Sequence, residues 1–154
     1  MIDEIDRQLL ALLQADGKVT NAELGTRVGL SLSAVNERVR KLKASGVIRA
    51  YRADIDPLAV DLPLCAFVRV GLSGPGDDNA FLSGILALPE VLECHHVTGD
   101  DNYFLKLRSA SPAALERLLS EDIKALPGVA RTHTVIALSS PKETPALPLG
   151  VTPA

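Results

Sequence analysis

Cysteine is scarce here. The two residues present, Cys65 and Cys94, both sit in apolar, strand-like runs, a usage that fits small buried side chains in a reducing compartment rather than a disulfide framework. No run approaches the roughly 18 consecutive apolar residues that a membrane span needs. The acidic start Met1-Ile2-Asp3-Glu4 lacks the basic region of a secretory signal, so a soluble, cytoplasmic protein without membrane contact is expected. No serine, cysteine or carboxylate pair comes with an evident base, and no glycine pattern is suited to cradling phosphate. Neither enzyme activity nor a cofactor is expected. Cys94-His95-His96 and His133 raise the question of a metal, but neighbouring strand residues point to opposite faces, leaving only Cys94 and His96 on one side. No metal site is expected.

What is present suffices for a packed core: 154 residues, 47% of them hydrophobic, enough for one ordinary domain or two small ones. The net charge of -3 conceals an asymmetry. Arg27, Arg38, Arg40, Lys41, Lys43, Arg49 and Arg52 lie in one stretch against the single acid Glu37, a local +6 that leaves -9 on the remainder. A basic cluster on an acidic body is the footprint of a polyanion partner, although a solvated helix face would look the same.

That cluster sits on a short helix. From Gly29 to Gly46, Val35, Val39 and Leu42 form an apolar stripe, with Ser33, Asn36, Glu37, Arg40 and Lys41 opposite. Two helices precede it. Ile2, Ile5, Leu9, Leu12 and Leu13 make the first, closed by Gly17, and the capping box Thr20-Asn21-Ala22-Glu23 opens the second, whose Leu24 and Val28 face inward. The Gly29-Leu30 turn between the second and third matches a helix-turn-helix unit. After it, Val47 to Ala53 alternates apolar and basic and is expected to form a short wing strand. Serines and an asparagine at the start of the outer face suit base edges and phosphates, and the later cations suit the DNA backbone. A three-helix bundle that docks a protein partner is the alternative, giving a ligand-binding or interaction oligomer that does not bind DNA.

The expected domains are 1–53 for DNA binding, 54–63 as a proline-bracketed linker, 64–138 as a second domain, and 139–154 as a loosely held, proline-rich tail with Pro141, Pro145, Pro148 and Pro153. The second domain repeats itself. Ala87-Leu88-Pro89-Glu90-Val91 returns 38 residues later as Ala125-Leu126-Pro127-Gly128-Val129, each time after a helix and before a strand. Strands over Leu64–Leu72, Val91–Thr98, Tyr103–Arg108 and Val129–Leu138 are expected, with a Gly74-Pro75-Gly76 loop after the first and Ser111-Pro112 starting the second helix. That is a ferredoxin-like βαββαβ arrangement, and the fold class is α+β. Its strands are apolar on both alternations, so the face without helices is expected to pack on a copy of itself in a homodimer. Cys65 and Cys94 would lie two strands apart, too far for a bridge. In the hairpin from Thr98 to Tyr103, two acids, an amide and a phenol offer a site for a small cationic or zwitterionic ligand, or simply make an Asp/Asn-rich turn.

Ile5-Asp6 to Gly17, the GLSxSAVxxRVRKLxxxGVI stretch from Gly29 to Ile48, Glu93-Cys94-His95 leading into Thr98-Gly99-Asp100, and Leu126-Pro127-Gly128-Val129 with Thr132-His133-Thr134 together resemble the Lrp/AsnC, or feast/famine, family of regulators. The resemblance spans nearly the whole chain. It implies a transcriptional regulator with a winged helix-turn-helix that binds double-stranded DNA, and a ferredoxin-like domain that binds a small amino-acid effector. Dimers assembling into tetramers or octamers are implied as well. DNA contacts would fall on Ser31, Ser33, Asn36, Glu37, Arg38, Arg40, Lys41 and Arg49. Effector contacts would fall on Thr98, Gly99, Asp100, Asp101, Asn102, Tyr103, Thr132 and Thr134. Family members commonly read Gly-Asp-x-Asp-Tyr in the effector loop. Asn102 replaces the second aspartate here, which keeps hydrogen bonding but offers no charge to an ammonium group.

Overall fold

The computed structural model describes residues 2–74 and 78–151. Its contacts form two units, one of residues up to Asp54 together with the tail from Lys142, the other Ile55–Pro141.

The first unit has three helices, α1 (Glu4–Ala15), α2 (Asn21–Val28) and α3 (Leu32–Ala44). Each begins where a side chain satisfies otherwise free N–H groups. Asp3 and Thr20 form capping boxes with Asp6 and Glu23, and the Ser31 hydroxyl accepts from the Ala34 N–H. Helices this short are marginal alone. They are held by burial of Leu9, Leu12, Leu24, Val35 and Val39, each contributing about 1.5–3 kcal/mol. Gly29 ends α2 at φ 70°, and a Cβ on Gly25 would lie 2.7 Å from the Leu30 carbonyl oxygen, so glycine lets the turn fold back toward α3.

The strand expected over Val47–Ala53 does not form. Gly46 turns the chain at φ 74°, the Ile48 N–H bonds to the Leu42 carbonyl, and Ile48 packs on the three-helix core. No second strand of this unit stands beside the segment among the described residues, so its alternation has no ladder to enter. The tail also differs from expectation. Rather than hanging loosely, it lies on α1: Gln14 Oε1 accepts from the Leu147 N–H at 2.7 Å and Gln14 Nε2 donates to the Leu147 carbonyl at 3.1 Å, while Arg7 reaches the Leu149 carbonyl at 3.4 Å. Pro153 lies outside the described residues.

The second unit runs β1 (Leu64–Leu72), α4 (Asp78–Leu86), β2 (Val91–His96), β3 (Tyr103–Ser109), α5 (Pro112–Arg117) and β4 (Val129–Ile136). The sheet order is β2-β3-β1-β4, antiparallel throughout. This is the expected βαββαβ order, with β2 and β4 each ending two residues early; Leu138 is fully exposed. Ser111 caps α5 with Pro112 in its first turn, and the helix continues as a π-helical turn over Leu118–Ile123 that the sequence pattern did not signal. The two copies of the repeat close alike: Val91 donates to the Leu88 carbonyl and Val129 to that of Leu126. Of the Gly74-Pro75-Gly76 loop, Pro75 and Gly76 lie outside the described residues.

Ala66, Val68, Val70, Tyr103, Leu105 and Leu107 pack with Phe81, Ile85, Leu115, Leu118 and Ile123 in the core between sheet and helices. The opposite face is mixed rather than uniformly apolar. Phe67 and Phe104 stack there with ring centroids 5.8 Å apart beside Val135, and Arg69, Lys106, Arg108, Arg131 and His133 share the same alternation. Cys65 and Cys94 are both free, on strands separated by β3.

Candidate functional sites

In the first unit the capped start of α3 sets out an exposed polar face. Ser31 Oγ lies 3.1 Å from Ser33 Oγ, and Asn36 Oδ1 accepts from Asn21 Nδ2 at 2.7 Å, which fixes the amide's orientation. One turn on, Glu37 grips Arg40 through two hydrogen bonds of 2.8 and 2.7 Å, with Lys41 Nζ 3.4 Å away. The Arg40 hydrogen bonds foremost, then the nearby charges, hold the Glu37 carboxyl down to about 2. Ser31, Ser33, Asn36, Glu37, Arg40 and Lys41 are all exposed on one side. Arg38 is not among them. Its guanidinium meets Asp3 at 2.7 Å and Asp6 at 2.8 Å, so its charge is neutralised against α1 and the residue is half-buried. Arg49 is exposed in the irregular segment after α3. One participant escaped the sequence reading: Asn21 was absorbed into the capping box. Lys43 of the basic cluster lies over the Tyr51 ring, 4.9 Å from its centroid.

In the second unit a cavity of about 810 Å³ is lined by Arg69, Asp100, Asp101, Arg131, Thr132 and His133. Arg131 organises it. Its Nε donates to Asp101 Oδ1 at 3.0 Å and its Nη2 to the Asp100 carbonyl. The side chain crosses Gly71, where a Cβ would come within 2.8–2.9 Å of it. A strand glycine beneath a long side chain is the signal that sequence reading passed over. Arg69 and His133, cross-strand partners on β1 and β4, complete the basic side of the cavity.

The expected effector residues divide. Asp100, Asp101 and Thr132 converge on the cavity, and Thr98 and Gly99 lie in the adjoining hairpin. Asn102 is turned inward. Its Oδ1 accepts from the Leu72 N–H at 2.8 Å and its N–H donates to the Val70 carbonyl, tying the hairpin to the end of β1. Tyr103 is buried, its ring tilted against Phe81 and stacked on His96, with its hydroxyl donating to Asp78 Oδ1 at 2.8 Å. Burial, then the Asp78 bond, pushes its phenol up to about 12. Thr134 lines a different, smaller cavity of about 270 Å³ beside Leu115, Leu119 and Ile136. Asn102, Tyr103 and Thr134 therefore lie away from the larger cavity, the first two because their polar atoms are engaged by β1 and α4. Among the described residues no group of three or more histidine, cysteine or acidic side chains is placed to hold a metal.

Residues 2–49 match the family model for winged helix-turn-helix DNA-binding, and residues 65–147 match that for the Lrp/AsnC ligand binding domain. A leucine-responsive regulatory protein of Klebsiella pneumoniae is 40% identical over 145 residues, spanning 93% of this chain and 88% of that one. Among solved structures, a transcriptional regulator of Neisseria meningitidis in complex with L-Met superposes with a TM-score of 0.91 at 32% identity, covering 97% of each chain. A feast or famine regulatory protein of M. tuberculosis complexed with L-methionine gives 0.88 at 39% identity, covering 96% of this chain and 99% of that one.

Proposed function

Because this chain belongs to the Lrp/AsnC family of DNA-binding transcription regulators, we propose that α3 reads operator DNA and that the cavity beside Arg131 takes an amino-acid effector. The chain is a regulator and not an enzyme. Ser31, Ser33 and Asn36 present short donors and acceptors to base edges, Arg40, Lys41 and Arg49 meet phosphates, and Glu37 holds Arg40 in position. Arg38 belongs to the fold of the unit rather than to this contact. The observation that carries the reading is the division on α3 itself: its polar face is exposed and capped, while the one arginine turned away is neutralised by Asp3 and Asp6.

The effector reading rests on relatives solved with methionine and on a cavity that offers both signs of charge. Arg69 suits a carboxylate and Asp100 an ammonium group, with Arg131 and Asp101 engaged with each other. The Phe67–Phe104 face packs on a second copy, and dimers build tetramers or octamers. Two α3 helices related by a twofold axis then enter major grooves about 34 Å apart, in the cytoplasm, where a regulator meets its DNA. Effector binding changes DNA affinity by linkage.

The test is a salt titration of duplex binding by gel shift. Wild-type protein should show a steep decline of affinity with salt, and Arg40→Ala with Lys41→Ala should flatten that slope by about one to two ions while weakening binding to all sequences alike. An unchanged affinity and slope would overturn the assignment. A thermal-shift screen against the amino acids identifies the effector.

A further inference from the structure

The outer face of α1 carries no role in DNA reading, yet it is occupied. Arg7 and Gln14 stand seven residues apart, two helical turns and roughly 10 Å along the same side. Across them the tail runs antiparallel to the helix, with Leu147 at Gln14 and Leu149 at Arg7. Two extended residues span only about 6–7 Å, and the long arginine side chain makes up the difference. Around Leu147 the tail's polar groups are accounted for. Pro145 and Pro148 have no N–H to satisfy and hold their backbones extended, which lowers the entropy lost on docking. The Ala146 N–H bonds to Thr144 Oγ1 at 3.1 Å, and the Leu147 N–H and carbonyl are both taken by the one Gln14 amide. Leu149 and Val151, beyond the second proline, are half-buried.

We infer that α1 is a docking surface for an extended, proline-flanked peptide, that its occupant is this chain's own tail from Lys142 to Val151, and that the docked tail is a second connection between effector cavity and DNA reader. The first connection is the linker after Asp54. The second begins on β4, whose Arg131, Thr132 and His133 line the cavity, and continues past Ile136 into the tail. It ends on α1, which Asp3 and Asp6 join to Arg38 of α3. The chain thus crosses between the two units twice, after Asp54 and before Lys142, and two tethers in place of one limit how far each α3 swings from its partner on DNA. The docking stands on the hydrogen bonds alone. Its consequence for DNA rests on the reading of α3 given above.

Two variants of the full chain break the clamp without touching a core. Gln14→Ala acts on an exposed helix position, and Leu147→Pro deletes one N–H from a backbone already extended. In wild-type protein the Leu147 amide should exchange roughly three- to tenfold more slowly than in the isolated tail peptide, as one hydrogen bond implies, and Gln14→Ala should remove that protection. A Leu147 amide that exchanges at the peptide rate in wild-type protein overturns the docking. On a duplex selected by the wild-type protein from random sequence, insertion of about five base pairs, half a helical turn, between half-sites should weaken the wild type tenfold or more. Both variants should lose at least half of that discrimination on a logarithmic scale, and the double variant no more than either one. Wild-type discrimination retained in the variants, or additive losses, overturns the second connection. If wild-type protein binds no duplex at all, the DNA reading falls together with the second connection, while amide exchange still decides the docking.

Discussion

Asn102 shows how a single residue can look like a ligand contact and act as a tie. Its side-chain oxygen is the acceptor for the Leu72 N–H where β1 meets a register irregularity near Gly71. Asn102→Ala should cost the effector unit about 1–3 kcal/mol in urea unfolding, the penalty for an unsatisfied, partly buried N–H. Asn102→Asp keeps the acceptor and should stay within about 1 kcal/mol of wild type. Tyr103 makes a prediction in pH. Its phenol is raised from the ordinary value of 10.0 to about 12 by burial and the Asp78 bond, so folding favours the protonated form. The stabilisation is complete below pH 10 and is lost as pH rises from 10 through 12. Thermal unfolding followed across that window should fall steeply for wild-type protein and less so for Tyr103→Phe.

At the scale of the element, α3 is a helix whose cations are partly masked by its own acid. Glu37→Gln should release Arg40 and Lys41, raising affinity for random duplex and steepening its salt dependence by about one ion, with sequence discrimination falling. Unchanged random-duplex affinity would count against Glu37 as the holder of that arginine. The limits of α3 were legible because Ser31, Gly29 and Gly46 punctuate it and Val35, Val39 and Leu42 keep a 3.6-residue period. The βαββαβ order was legible from the repeated Ala-Leu-Pro-x-Val phrase. The wing strand was misread because alternation reports a pattern of faces but not the presence of a neighbouring strand. In the cavity, the acids were legible from turn chemistry. Arg69, Arg131 and His133 were not, since cross-strand register and the space above Gly71 bring them together, and neither is written locally.

At the scale of the whole molecule, the proposed dimer rests on the mixed face of the sheet. A stacked Phe67–Phe104 pair beside Val135, ringed by cations, suits a twofold contact that is apolar at the centre and polar at the rim. Phe104→Glu should move the protein toward monomers in sedimentation and abolish the concentration dependence of its melting temperature, while each unit keeps its fold. The unit that carries α3 is discontinuous in sequence: its last piece begins at Lys142, 88 residues after Asp54. At about 5–20 residues per second, translation delivers that piece roughly 4–18 seconds after the helices. The three helices therefore leave the ribosome before the segment that docks on α1 has been made, and the DNA-binding unit stays incomplete over that interval.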